Sequence, residues 1–254
     1  MRSVKFSLPR RKVYRLKRIG DVHLGAQNCD KAAFKSDMND LRKDKNSFAV
    51  LMGDQLDSIV HTDKRYSMFD RDPDMNRFDD QMDFLLSVLE PAKKSIIGIL
   101  EGNHEAKISR RVGYDFTRDL CNRLDVEYLH QLSHIEWDLG YRKISEIVAH
   151  GVGGAASIGG QIRRLKNLMQ NFEVAPDLVS VGHYHRLDSV KFPMMNSSMN
   201  TKVKTLGFTG TYFRAHQNGT SNYAVNKWYG PSLIGHLEYE VTKNDIQSHE
   251  RITV

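Results

Sequence analysis

The sequence predicts an α/β fold, and three observations carry that expectation. Short apolar runs rich in β-branched residues alternate with amphipathic stretches at helical spacing, the rhythm of strands joined by crossover helices. Several of these runs end in a small cluster of glycine, aspartate, asparagine or histidine, side chains that make poor core and good ligands. The 254 residues, 40% hydrophobic and 27% charged, suffice to bury a sizeable core in a single domain, residues 1–254.

Residues 13–19 read as the first strand and deliver Asp21 and His23, whose i, i+2 spacing turns both side chains to one side of an extended segment. A carboxylate and an imidazole so placed suit a first-row divalent ion; standing alone, the pair would suit a surface turn. Asp30 is placed to cap a helix over 31–44 with Phe34, Met38 and Leu41 on its apolar face. Residues 48–52 are a second buried strand, followed by Gly53-Asp54 and, three residues on, Asp57. Residues 61–76 have no periodicity and many charges, so they are expected as a loop on the rim, where His61 could meet substrate or simply solvent.

A helix over 77–92 is expected from Phe78, Met82, Leu85, Leu86 and Leu89 on one stripe, with Pro91 near its end. Residues 95–100 form the next strand and lead into Gly102-Asn103-His104-Glu105. Helical spacing resumes over 107–124, with Arg110 and Arg111 near the start, where they could face a phosphate. Residues 144–149 are a strand that presents His150.

A glycine-rich loop follows and feeds a helix over 161–172. Glycines let backbone amides approach a ligand, and a helix start favours anions, so Gly153 and Gly154 are candidate phosphate contacts. The Gly-Lys-Ser/Thr ending of a Walker loop is missing, and a lid or a tight turn accounts for the glycines too. Residues 178–181 are a strand delivering Gly182-His183-Tyr184-His185. Further strands are expected near 205–213 and 233–241. His130, His134, His216, His236 and His249 fall in no motif and are assigned no chemistry.

Charge is unevenly spread. Residues 1–18 hold eight lysines or arginines and no acid, so the rest of the chain, with 29 basic and 31 acidic residues, is slightly acidic. Residues 1–12 are read as a basic arm that could attract a nucleic-acid backbone, or serve only as a solvated tail. No stretch approaches the ~20 apolar residues of a membrane span, and the basic N-terminus lacks the apolar core of a signal peptide. Two cysteines, Cys29 and Cys121, stand in no ligand spacing. The expectation is a cytoplasmic protein without membrane contact; nothing in the sequence speaks to its oligomeric state.

Taken together and in order, D-x-H (Asp21, His23), G-D-x-x-D (Asp54, Asp57), G-N-H-E (Asn103, His104), a lone H-G (His150) and G-H-x-H (His183, His185) resemble the calcineurin-like metallophosphoesterases. The likeness runs from about residue 13 to 185. It implies a four-layer α-β-β-α sandwich, two mixed β-sheets flanked by helices, without a cap domain, in which residues 186–254 complete the second sheet. It also implies two divalent ions per chain, manganese first, with iron, zinc or nickel as alternatives. Asp21, His23, Asp54 and His185 would take the first ion, and Asp54, Asn103, His150 and His183 the second, with Asp54 giving one oxygen to each. His104 would protonate the leaving group, held by Asp57, while a hydroxide between the ions attacks phosphorus.

The implied activity is hydrolysis of a phosphate ester. Phosphatases of this kind carry an arginine directly after the second aspartate of G-D-x-x-D, where this chain has Ser58. That departure favours diesters, nucleases among their hydrolases, over monoesters, and the compact chain resembles short bacterial and phage-encoded phosphodiesterases. A phosphomonoesterase is the alternative. A non-catalytic scaffold is disfavoured because every ligand is kept.

Overall fold

A computed structural model describes residues 1–59, 66–75, 77–153, 157–196, 198–217, 223–226 and 230–253. Its first half runs β1 (Arg2–Ser7), β2 (Tyr14–Ile19), α1 (Lys31–Lys43), β3 (Ser47–Leu51), α2 (Phe78–Leu89), β4 (Ile96–Ile99), α3 (Asn103–Val112), α4 (Phe116–Leu124) and β5 (Glu127–Tyr128). The second half runs β6 (Leu132–Asp138), β7 (Lys143–Ala149), α5 (Ile158–Gln170), β8 (Leu178–Val181), β9 (Leu187–Met195), β10 (Thr201–Thr211), a single helical turn α6 (Tyr223–Asn226), β11 (Gly235–Val241) and β12 (Ile246–Ile252). Among the described residues no helix is long and apolar enough to cross a membrane.

The strands make two mixed sheets that share β10. One is ordered β1-β6-β7-β8-β10-β9 and the other β5-β4-β3-β2-β11-β12; the last two residues of β10 leave the first sheet to pair with the start of β11. Hydrophobic packing defines the layers. Leu16, Val50, Leu237 and Tyr239 of one sheet meet Ile135, Trp137, Val148 and Leu178 of the other between the sheets. On the outer faces, Ile19, Leu51 and Ile99 pack against Phe34 and Leu41 of α1, Leu85 of α2 and Leu120 of α4. Ile147, Val179 and Phe208 pack against Leu165 and Met169 of α5. The result is the α-β-β-α sandwich.

Local chemistry sets the element boundaries. Asp30 caps α1, its carboxylate accepting from the Ala33 amide at 2.9 Å. The single helix expected over 107–124 is instead two. The first begins at Asn103 and stops at Gly113, which takes the left-handed conformation (φ +68°) that ends helices, and Asp115 caps the second. The sequence pattern had passed over that Gly-Tyr-Asp break because apolar residues flank it at helical spacing.

The basic arm is likewise revised: residues 2–7 are an edge strand, parallel to β6. Five of its cluster's eight cations meet acids. Arg2 pairs with Glu127 at 2.6 Å, Lys5 lies 3.5 Å from Glu136, Arg15 2.8 Å from Asp44, and Lys17 3.7 Å from Glu238. Arg18 is fully buried between the sheets on Glu146, which also accepts from Trp137 Nε1 and Ser180 Oγ at 2.7 Å. A buried charge pair so completely hydrogen-bonded avoids the penalty of an unpaired ion. Arg10, Arg11 and Lys12 precede β2, at its far end from Asp21 and His23.

A second buried polar knot closes the chain onto α1. Asp37 accepts from Tyr212 Oη at 2.6 Å, His236 Nδ1 at 2.9 Å and Thr253 Oγ1 at 2.9 Å. Burial by itself would raise this carboxyl, but the three bonds outweigh it and hold it below the usual aspartate range. Asp37→Ala strands three buried donors and is expected to cost about 2–4 kcal/mol, read by urea unfolding. Since the folded-state value is depressed, this stabilisation is present at neutral pH and is lost as pH falls below about 4. A midpoint unchanged at pH 7 would show that the knot contributes nothing.

Candidate metal centre

Strand register brings the motifs to one end of the molecule. Ile19, Leu51 and Ile99 lie side by side across β2, β3 and β4, so the residues just beyond them, Asp21, Asp54 and Asn103, emerge together. In the other sheet Ala149 pairs with Val181, which aligns His150 with His183. These are the carboxyl ends of parallel strands, where open α/β sheets habitually bind ligands.

Six of the seven residues gather as two groups. Asp21, His23 and His185 form one, and Asp54, His150 and His183 the other, each with ligand atoms within 4.8 Å of one another; His23, Asp57 and His104 make a third such group. In the first, His23 Nε2 is 3.0 Å from His185 Nε2 and 4.0 Å from Asp21 Oδ1, and His185 Nε2 is 3.6 Å from Asp21 Oδ1. In the second, His150 Nε2 is 3.0 Å from Asn103 Oδ1 and 3.3 Å from Asp54 Oδ2. Donors at ~2.0–2.2 Å around a single first-row ion stand ~3–4 Å apart, the range of these separations.

Asp54 links them through one oxygen. Its Oδ2 is 3.3 Å from His150 Nε2 and 3.8 Å from His23 Nε2, whereas Oδ1 accepts the His104 amide at 2.9 Å. Oδ2 therefore faces both groups, while the backbone of α3 takes Oδ1. His150 is oriented by its far nitrogen, Nδ1 donating to Met52 O at 2.8 Å, which leaves Nε2 facing the site.

The backbone is strained where the ligands sit. Asp21, His23, Asp54, His183 and His185 all have φ between +49° and +67°, a region that non-glycine residues rarely adopt and that gathers at functional sites. Several bonds hold the strain in place. Thr211 Oγ1 and the Tyr212 amide donate to Asp21 O at 2.7 and 3.0 Å, and the Asp21 carboxylate accepts the His183 amide at 2.8 Å. A side chain at Gly102 would collide with the Asp54 amide and carboxylate, so only glycine lets α3 start this close.

Electrostatics reflects the crowding. Burial pushes Asp21 up to about 7, and burial followed by the charge of His150 pushes His183 down to about 4. Burial and the neighbouring His23 likewise push His185 well down. Burial would also lower His150, but Asp54 beside it prevails and raises it to about 10; burial would raise Asp54, which the same His150 and His104 hold well below the usual range. Neutral His183 and His185 offer lone pairs at physiological pH, as metal ligation requires, whereas His150 has to release the proton that Asp54 draws onto it before it can ligate. Asp21, His23, Asp54 and His150 are buried, while Asn103, His183 and His185 are half-buried, so the centre opens on that side.

His104 is buried beside the centre, with Nε2 3.9 Å from Asp54 Oδ2. Its Nδ1 donates to the backbone carbonyl of Asp57, which fixes the tautomer and leaves Nε2 to exchange a proton. The Asp57 carboxylate, expected to hold His104, is 3.8 Å from His104 Nδ1 and nearer, 3.4 Å, to His23 Nδ1.

The peripheral candidates fare unevenly. Gly153 lies against the centre, a side chain there falling 3.7 Å from His183 Nε2, and its carbonyl and that of Val152 are held by Arg164. Arg110 and Arg111 are exposed in the last turn of α3, ~10 Å along the helix axis from Asn103. His61 and Gly154 lie outside the described residues.

Some contributors escaped the sequence. Glu105, fully buried, accepts the amides of Gly102 (3.0 Å), Asp54 (3.1 Å) and Leu56 (2.9 Å), clamping two motif loops together. Its place at the third position of a helix, where capping glutamates reach back, was the available signal. Phe213 lays its ring 5.5 Å from that of His23 and 5.8 Å from His185, and Arg71 contacts Asp57; neither belongs to a motif.

No family model matches the chain, and no curated protein matches it. Among solved structures it is similar to a conserved protein of Streptococcus pneumoniae described as a predicted phosphoesterase, at 13% identity and a TM-score of 0.40, covering 94% of this chain and 98% of that one. A Vps29 variant from Entamoeba histolytica is similar at 12% identity and TM-score 0.41 (94% and 98% covered), and the NAD nucleotidase of Haemophilus influenzae at 12% and 0.44 (94% and 50%).

Proposed function

We propose that this chain is a calcineurin-like metallophosphoesterase, a hydrolase that uses two divalent ions and takes phosphodiesters ahead of monoesters. The observation that carries the reading is the single Asp54 oxygen standing between two imidazole–carboxylate groups, 3.3 and 3.8 Å from a nitrogen of each. Two dications side by side need an anion between them, and this carboxylate provides it. Nitrogen and oxygen donors together suit manganese, iron, zinc or nickel better than calcium, and manganese is the ion of choice. Bound there, two such ions supply Lewis acidity toward the phosphoryl oxygens and a water of lowered pKa.

The chain's own residues account for the rest. Asp21, His23, Asp54 and His185 hold one ion, and Asp54, Asn103, His150 and His183 the other. The half-buried Asn103, His183 and His185 leave the approach for the ester. His104 Nε2 gives its proton to the departing oxygen, and the Asp57 carbonyl keeps the ring aimed. No side-chain nucleophile is needed, and burial pushes both thiols, Cys29 and Cys121, upward and out of reach of a thiolate.

Preference for diesters follows from charge. A monoester dianion brings one more negative charge than a diester and needs a further cation. The position after Asp57 holds Ser58, which is buried, and the nearby Arg71 is bonded to the Asp57 carboxylate. Bis-p-nitrophenyl phosphate is therefore expected to show the higher kcat/KM against p-nitrophenyl phosphate, at saturating manganese and near-neutral pH. A monoester better by about tenfold, or ~1.4 kcal/mol, would reverse the assignment.

A further inference from the structure

We infer that Arg71 is a positioning residue of the metal centre, acting through Asp57; this rests on the two-ion reading above. Arg71 Nη1 donates to Asp57 Oδ2 at 2.9 Å, with only 10% of the arginine side chain and 4% of the aspartate exposed. The other carboxylate oxygen, Oδ1, stands 3.4 Å from His23 Nδ1 and 3.8 Å from His104 Nδ1. His23 turns its remaining nitrogen, Nε2, toward His185 and Asp21. Asp57 thus sits behind a ligand imidazole, the place from which a neighbour sets that ring's orientation and basicity. A carboxylate held on one side by a charge-assisted bond cannot swing away from the imidazoles on the other.

The guanidinium is itself aimed by its backbone. The Gln27 amide donates to Asp70 O at 2.9 Å and the Asp72 amide to Gly25 O at 3.0 Å, with Arg71 bridged to Ala26 between them. The segment carrying Arg71 is zipped onto the loop that follows His23, and Asp72 is pinned in turn by Lys31 at 2.6 Å. Arg71 and His23 therefore stand on segments bonded to each other. Without the guanidinium, the buried Asp57 charge would lose its counter-ion and turn toward the two imidazoles. Lysine would restore the charge without the rigid fork.

Calorimetric titration of metal-stripped full-length protein with Mn2+ tests this, alongside steady-state hydrolysis of bis-p-nitrophenyl phosphate. Arg71→Met is expected to weaken one of two manganese sites about 10–100-fold, leaving the other and KM within about threefold, while kcat falls. Arg71→Lys should recover part of the affinity, and it remains informative if the methionine variant folds poorly. In an Asp57→Asn background Arg71→Met should add little, because both changes remove one interaction. Wild-type affinity at both sites in Arg71→Met, or full additivity with Asp57→Asn, overturns the inference. So does a raised KM with unchanged metal affinity, which would make Arg71 a substrate contact. Failure of the parent chain to take up any manganese overturns the two-ion reading and this inference with it.

Discussion

Asp54→Ala is expected to leave the chain folded but with one manganese or none, and without measurable phosphodiesterase activity. The carboxylate contributes in three ways that alanine cannot replace. Its Oδ2 faces His23 and His150, supplying the negative charge between two cations that otherwise repel. Its Oδ1 accepts the His104 amide and so fixes the start of α3 against β3. It is also the nearest charge to His150, whose protonation it governs. The loss should exceed the roughly 10²–10³-fold that removal of a single stabilising donor costs, because both ions are affected at once. Asp54→Asn keeps the shape and the bond to His104 while removing the charge, and it should behave nearly as badly. Elemental analysis of each variant after manganese loading and gel filtration is the decisive measurement. Two ions retained in Asp54→Ala would remove the shared-carboxylate centre.

His104→Ala should show the opposite pattern, with both ions retained and turnover reduced by about 10²–10⁴-fold, the usual range for an acid–base group. His104 groups with His23 and Asp57 rather than with Asp54, and its Nδ1 is occupied by the Asp57 carbonyl, so its removal is expected to leave the donors around Asp54 in place. The deficit should depend on the leaving group. A p-nitrophenolate departs with little help, whereas an alkoxide needs the proton, so the ratio of parent to variant rates should grow with leaving-group pKa. An equal deficit for good and poor leaving groups would take His104 out of the acid role. Loss of an ion from this variant would instead make it a structural part of the centre.

The order β2, α1, β3, α2, β4, β7, α5, β8 was legible because most of these strands are short apolar runs with a glycine one to three residues beyond their end, and each of these helices shows a single stripe. The candidate donors stand out for the same reason: Asp21, His23, Asp54, Asn103, His150, His183 and His185 follow strand ends, where polar side chains have no core to spoil. Local pattern failed where an element draws its stability from partners remote in sequence. β1 is polar and half exposed and becomes a strand only because β6, some 130 residues on, offers an edge. Arg18 counted only as one more charge of the basic cluster, since nothing nearby in the chain announces Glu146, Trp137 and Ser180 around it.

What the sequence determined by itself, then, is which side chains stand at the ends of which strands, because strand periodicity and strand-end composition are local. How those side chains face one another was decided only by tertiary structure. That one Asp54 oxygen faces both groups, that Asp57 presents its carbonyl to His104 and its carboxylate to His23, and that Arg71 stands behind both are outcomes of packing. The left-handed backbone at five of the ligands belongs to the same class. Such conformations cost roughly 1–3 kcal/mol each. Bonds from β10, from α3 and from the loop after β8 hold Asp21 and Asp54, contacts that exist once the two sheets have met.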